Sequence, residues 1–136
     1  MLKKLGYSED DWTRQLSRKV GRKEKAIPDF AFFPQGDKHF EKAPMVIEAK
    51  LDMAPIREFQ KAFSQGLSYA DLLHSTIMGI CDKERLILYK ADKQGIFDRN
   101  NPIFEEHWAA IYADALIGAR LNKLIGKEVI KDLKII

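Results

Sequence analysis

The run from residue 44 to residue 51 constrains the fold more than any other. Met45, Ile47, Ala49 and Leu51 alternate there with Val46, Glu48 and Lys50. A period of two predicts a strand with one apolar face. It also places two opposite charges, Glu48 and Lys50, at alternate positions of the other face. Pro55 then opens a segment in which Ile56, Phe59, Phe63, Leu67 and Ala70 recur at helical spacing, with proline in the helix position that tolerates it best. Two further strands are predicted over residues 75–81 and 85–90, joined by Asp82-Lys83-Glu84. Strand, helix and strand in that order call for a sheet with a helix packed on it.

The flanking segments extend this pattern. Residues 26–33 read as a strand that forms a hairpin with residues 44–51 through a long polar connection. Residues 8–19 read as a short helix: Ser8 as N-cap, Glu9, Asp10 and Asp11 in its first turn, Trp12 and Leu16 on its apolar side, and Gly21 at its end. Leu5-Gly6-Tyr7 reads as a last helical turn capped by Gly6. Asn101-Pro102 is expected to start a long helix carrying Phe104, Trp108, Ile111, Ala115 and Ala119 inward, with Gly126 near its end. The expected order is helix, two strands, helix, two strands, helix. That is an α/β fold, a mixed sheet flanked by helices in an α/β/α sandwich. A length of 136 residues fits one domain with one core. The apolar end, Leu133-Lys134-Ile135-Ile136, and the capped turn at the start suggest a fragment of a longer protein or a shortened relative of one.

Composition narrows the partners. A hydrophobic share of 46% and a charged share of 32% fit a globular chain, and a net charge of +3 permits a nucleic-acid partner without demanding one. Arg14, Arg18, Lys19, Arg22, Lys23 and Lys25 crowd one stretch, opposed only by Glu24. They form either a solvated surface or a patch that contacts DNA phosphates. Cys81 is the single cysteine, so no internal disulfide can form, and it is expected to be a small core residue. His39, His74 and His107 are scattered, which argues against a zinc site: His39 is expected in solvent and His74 at the negative pole of a helix. Asp52 is expected as a helix N-cap. No membrane span or signal peptide is evident, and a reducing cytoplasm fits. There is no glycine-rich phosphate loop and no serine or cysteine nucleophile motif.

The chemistry-bearing residues are Asp29, in Pro28-Asp29, and the pair in Glu48-Ala49-Lys50. Read blandly, they are a cross-strand salt bridge on an outer face. Read functionally, the carboxylates of Asp29 and Glu48 and the backbone carbonyl of Ala49 are hard oxygen donors suited to Mg²⁺, with Mn²⁺ as substitute. Lys50 would orient a metal-activated water or steady the charge that develops on a phosphodiester. Gln65 and Tyr69 are four apart on the predicted helix. They are either a polar surface or groups that hydrogen-bond a catalytic carboxylate or the DNA backbone.

Ile27-Pro28-Asp29-Phe30, Val46-Ile47-Glu48-Ala49-Lys50 and Gln65-Gly66-Leu67-Ser68-Tyr69 together resemble the PD-(D/E)xK nuclease superfamily. The resemblance is to the branch with a Q-x-x-x-Y motif, which includes the amino-terminal nuclease domain of type I restriction enzyme R subunits. Leu5-Gly6-Tyr7 and residues 108–125 are similar to that domain's flanking helices, so the likeness covers nearly the whole chain. It implies a restriction-endonuclease-like fold and a Mg²⁺-dependent endonuclease acting on double-stranded DNA. Asp29 and Glu48 would be metal ligands, Lys50 catalytic, and Gln65 and Tyr69 supporting. Helicase, methyltransferase and specificity domains or subunits would be the partners. That family usually carries a further glutamate on a helix ahead of the Leu-Gly-Tyr stretch, and this sequence starts at Met1, too late to include it. The competing expectation is therefore a nuclease-like fold without catalysis that binds nucleic acid or assembles subunits. A junction-resolving nuclease of the same superfamily would differ in substrate only.

Overall fold

The computed structural model describes residues 2–14, 18–20, 24–26, 30–32 and 42–133, with the backbone alone for 13–14, 18–20 and 24–26. Strands β1 (Trp12–Arg14), β4 (Phe30–Phe32), β5 (Met45–Ala49), β6 (Ile77–Cys81), β7 (Arg85–Lys90) and β8 (Phe104–His107) form one sheet in the order β1-β4-β5-β6-β7-β8. β2 (Arg18–Val20) and β3 (Glu24–Ala26) form a separate two-stranded antiparallel ribbon. β5 and β6 are parallel, from Met45 opposite Ile77 to Ala49 opposite Cys81, and every other neighbouring pair is antiparallel. The parallel pair needs a crossover, and α1 (Ile56–Leu73) supplies it. The fold is thus α/β, with a mixed sheet and helices packed on it.

Alternation along the strands divides the core. Ala31, Val46, Met78, Ile80, Ile87 and Tyr89 turn to one face and pack under α1, where Ala62, Phe63, Ala70 and Leu73 meet them. Phe32, Met45, Ile47, Ile77, Leu88 and Phe104 turn to the other. They are covered by the 3-10 turn Leu2–Leu5 and by α2 (Trp108–Ala113), α3 (Ala115–Ile125) and α4 (Lys127–Lys131).

The two ends of the described chain are clasped on that second face. Gly6, at φ 93, ends the first turn in a left-handed conformation that glycine adopts at no steric cost. Tyr7 is then buried, edge-on to Phe32 with ring centroids 5.2 Å apart, and donates its hydroxyl to the Ile125 carbonyl at 2.7 Å. Burial, then the nearby Asp11 carboxylate, pushes the phenol far above its ordinary pKa, so it stays a donor. Asp11 accepts from the Ser8 backbone at 2.8 Å and pairs with the Lys127 ammonium at 3.0 Å. Tyr7→Phe leaves the buried Ile125 carbonyl without this donor. It should lower stability by about 1–2 kcal/mol, read as a drop in denaturation midpoint at unchanged slope.

Several sequence expectations are corrected. The described residues of 8–19 are not α-helical: Glu9–Asp11 is a single 3-10 turn, Trp12 to Arg14 is strand β1, and Leu16 and Gly21 lie outside the described residues. Asp11 folds back on Ser8, and Trp12 then packs tilted against Phe30, ring centroids 5.7 Å apart, beside the β1–β4 ladder. Cross-strand pairing of an aromatic outweighs the helical signal of the three acids. Nor does a helix start at Asn101-Pro102. Phe104 to His107 is strand β8 against β7, and the helix starts only at Trp108. It also breaks twice. Asp114 caps α3 by accepting from the Leu116 N–H at 2.9 Å, and Gly126 separates α3 from α4. Leu121 and Ile125 are the buried positions of α3, whereas Ala115 and Ala119, expected inward, are exposed.

Candidate active site

Glu48 lies at the penultimate position of β5, opposite Ile80 of β6, on the face that α1 covers. Val46 and Ile80 make that environment apolar, and the Glu48 side chain is only 6% exposed. Burying a carboxylate so deeply is costly unless a cation or a hydrogen-bond donor is near. Lys50 answers on the same face: its Nζ lies 3.7 Å from Glu48 Oε1. The alternation read from the sequence therefore holds in space. The backbone continues the order, since the Lys50 N–H donates to the Cys81 carbonyl at 2.8 Å and keeps β5 aligned with β6 to its end.

Gln65 completes the arrangement from α1, accepting a hydrogen bond at Oε1 from the Lys50 ammonium. The helix can come this close because residue 66 is glycine. A Cβ there would lie 2.9 Å from Met78 Sδ and 3.8 Å from Glu48 Cβ. Tyr69, one turn further on, is half-buried and packs against the cluster under α1. The structure thus brings Glu48, Lys50 and Gln65 into contact and places Tyr69 on the same helix.

Asp29 lies outside the described residues. The residue that follows it, Phe30, pairs with Ile47, the neighbour of Glu48. Of the basic cluster, Arg22 and Lys23 lie outside the described residues. Arg14 is in β1, not a helix, and Arg18, Lys19 and Lys25 are on the β2–β3 ribbon, where Lys19 and Lys25 are cross-strand partners. His39 lies outside the described residues. His74 caps α1 in a left-handed conformation, φ 57, and is exposed. Asp52 is not the N-cap of α1. It accepts from the Ala54 N–H at 2.9 Å in a tight turn, and Pro55 takes the cap position. Cys81 is half-buried against the second core cluster.

Asp82, which the sequence offers only as part of a turn, anchors the loop that follows Lys50 to the turn after β6. It is buried and accepts from the backbone N–H groups of Met53 at 2.8 Å, Glu84 at 2.8 Å and Arg85 at 2.9 Å. Burial alone would raise its pKa. The donors of Met53, Arg85 and Glu84, with the Arg85 charge, outweigh burial and hold it below the ordinary carboxylate value. The bond to Met53 ties the segment after Lys50 to the β6–β7 turn. The Trp108 indole adds a bond to the Asp82 carbonyl at 2.7 Å. The signal was an aspartate directly after an apolar strand, a position where a side-chain acceptor closes a turn.

The donor chemistry suits a hard divalent cation. Glu48 offers a carboxylate whose Oε2 is wholly buried, and such ions are held by one or two carboxylates with the remaining positions left to water. Among the described residues, Glu48 is not joined by two more His, Cys, Asp or Glu side chains in a cluster able to hold a metal. No helix among them is long and apolar enough to cross a membrane. No family model matches the chain, and no match was found among curated proteins or solved structures.

Proposed function

We propose that this chain is a divalent-metal-dependent DNA endonuclease domain of the kind found in type I restriction enzymes. The observation that carries the reading is the joining of Glu48, Lys50 and Gln65. A buried carboxylate near the end of β5 and the lysine that directly follows the strand lie 3.7 Å apart, and the lysine is steadied from a helix packed over that strand. Glu48, the Ala49 carbonyl and Asp29 would hold Mg²⁺ or Mn²⁺. When bound, the cation supplies an acidified water and offsets charge on the scissile phosphate.

The chain's own residues supply the rest. Burial of Glu48 under α1 fixes its carboxylate and keeps bulk water from screening it. Lys50, oriented by Gln65, donates to the phosphate oxygen where negative charge grows in the transition state. Tyr69 supports the site as a hydrogen-bond donor toward the DNA backbone. Arg14, Arg18, Lys19, Arg22, Lys23 and Lys25 contact phosphates and carry affinity rather than sequence preference. Changing Lys19 and Lys25 together to glutamate should weaken duplex binding and flatten its salt dependence by about 0.9 per lost phosphate contact, measured by fluorescence anisotropy over a salt series. Helicase, methyltransferase and specificity parts would belong to other domains or subunits, and the setting would be the cytoplasm.

A second reading is favoured by one observation, the Lys50 ammonium 3.7 Å from Glu48, which gives the buried carboxylate a counter-charge without a metal. It makes the chain a nuclease-fold module that binds nucleic acid or assembles subunits without cleaving. Calorimetric titration with Mn²⁺ separates the two. The nuclease reading expects a binding isotherm that Glu48→Gln removes. No Mn²⁺ binding with DNA binding intact selects the module.

A further inference from the structure

A concavity lies on the α1 face of the sheet, over β7 and β8, between the N-terminal half of α1 and the loop at 98–102. It encloses about 300 Å³. Its walls combine two chemistries. Phe59 and the apolar side chains of Met53, Ile87 and Pro102 form one part, and the guanidinium groups of Arg85 and Arg99 with the amide of Asn100 form the other. The Arg85 guanidinium lies over the Phe59 ring, 5.9 Å from its centroid, and is held there by Glu105 at 2.9 Å. A guanidinium fixed by a carboxylate on one edge keeps its remaining N–H groups and its flat face for a ligand. Tyr89 is buried at the floor. Burial first, and then the Glu105 carboxylate, push its phenol up to about 12, against the opposing charges of Arg85 and Arg99, so it is a donor at neutral pH. Ile56 opens α1 at the rim with 70% of its surface exposed, although helical spacing predicted it to be buried.

We propose that this groove binds a nucleoside phosphate, the base stacking on the Arg85–Phe59 platform and the phosphate meeting Arg99. A plain apolar ligand would leave the Arg99 guanidinium without an anion. A plain anion would leave the aromatic wall and the exposed Ile56 uncovered. A planar ring joined to a phosphate satisfies both, because bases stack on guanidinium planes and aromatic rings alike, and Tyr89 and Asn100 offer a hydroxyl and an amide to a base edge. With Arg85 and Glu105 offsetting each other, Arg99 leaves the groove a net positive charge for the phosphate. The proposal stands apart from the cleavage chemistry at Glu48 and Lys50, which the lining of this groove does not include.

The test is calorimetric titration of the chain with dAMP and with inorganic phosphate. The expected result is that dAMP binds about tenfold or more tightly than phosphate, the contribution of one stacked base. Arg99→Ala and Phe59→Ala should each weaken dAMP binding by about tenfold. Lys50→Ala should leave it unchanged, which keeps this site distinct from the candidate active site. Arg99 is exposed, so thermal melting should show its variant folded, whereas a melting change in the Phe59 variant shifts the decision to Arg99→Ala alone. Absence of dAMP binding, binding no tighter than phosphate, or binding unaltered by Arg99→Ala would overturn the proposal.

Discussion

Lys50→Ala is expected to reduce metal-dependent DNA cleavage by about 10²-fold or more, the usual cost of removing a group that stabilises transition-state charge. On the proposed reading the effect should fall on the rate of the bound complex and leave duplex affinity nearly unchanged, because the basic cluster rather than Lys50 would carry the binding. Glu48→Gln should be at least as severe: it keeps the shape but removes the charge that a hard cation requires. Removing that charge also ends the need for Lys50 as counter-ion, so the variant should fold. Gln65→Ala touches the chemistry only through Lys50, and about a tenfold loss is expected, as for groups that orient a reactive residue. Gln65→Glu provides the contrast. It keeps an acceptor for the ammonium but tightens it as an ion pair, so cleavage should fall while melting temperature does not. Single-turnover rates on a fixed duplex, with affinity measured in parallel, decide all of these.

Asp82→Ala is expected to cost about 3 kcal/mol. Three backbone N–H groups lose their acceptor at once, and that of Met53, a residue with 0% exposure, cannot turn to water. For a chain of this length such a loss shifts the melting temperature by on the order of 10 °C. Asp82→Asn should cost less, since the amide oxygen still accepts, though without charge assistance. The carboxyl pKa is lowered on folding. Its contribution is therefore present above the unfolded value of about 3.8 and is lost as pH falls through the lower folded value. Wild type should lose stability on acidification across that window, and Asp82→Ala should lose less there. Because Met53 follows Lys50 along the same loop, Asp82→Ala should also slow cleavage without a change at any reacting group.

The parts of the fold legible in the sequence were those whose periodicity is long and undisturbed. Alternation from Met45 to Leu51 gave β5 and set Glu48 beside Lys50. The 3.6-residue repeat from Phe59 to Ala70 gave α1, and the crossover made the sheet mixed. The failures share a cause. Glu9, Asp10 and Asp11 favour a helical start locally, but Trp12 finds Phe30 across a strand pair. Phe104, Trp108 and Ile111 fit one helical stripe, yet the backbone of Phe104 to His107 is taken by β7, a partner distant in sequence. Ile56 matched the stripe of α1, but it precedes the turn at which α1 meets the sheet. In the site, Glu48, Lys50 and Gln65 could be found because one alternating segment sets the first two and the helix that follows sets the third. Asp82 could not, because its role is a contact between two loops, and Gly66 showed its purpose only once Met78 and Glu48 lay beneath it.

The central claim is tested most directly by incubating the purified chain with supercoiled plasmid and Mg²⁺ or Mn²⁺, with a chelator in parallel. The account predicts nicking and linearisation that the chelator stops and that Glu48→Gln and Lys50→Ala abolish. Cleavage persisting unchanged in both variants, or no cleavage by the unaltered chain at any concentration of either metal at which the DNA is bound, would contradict it.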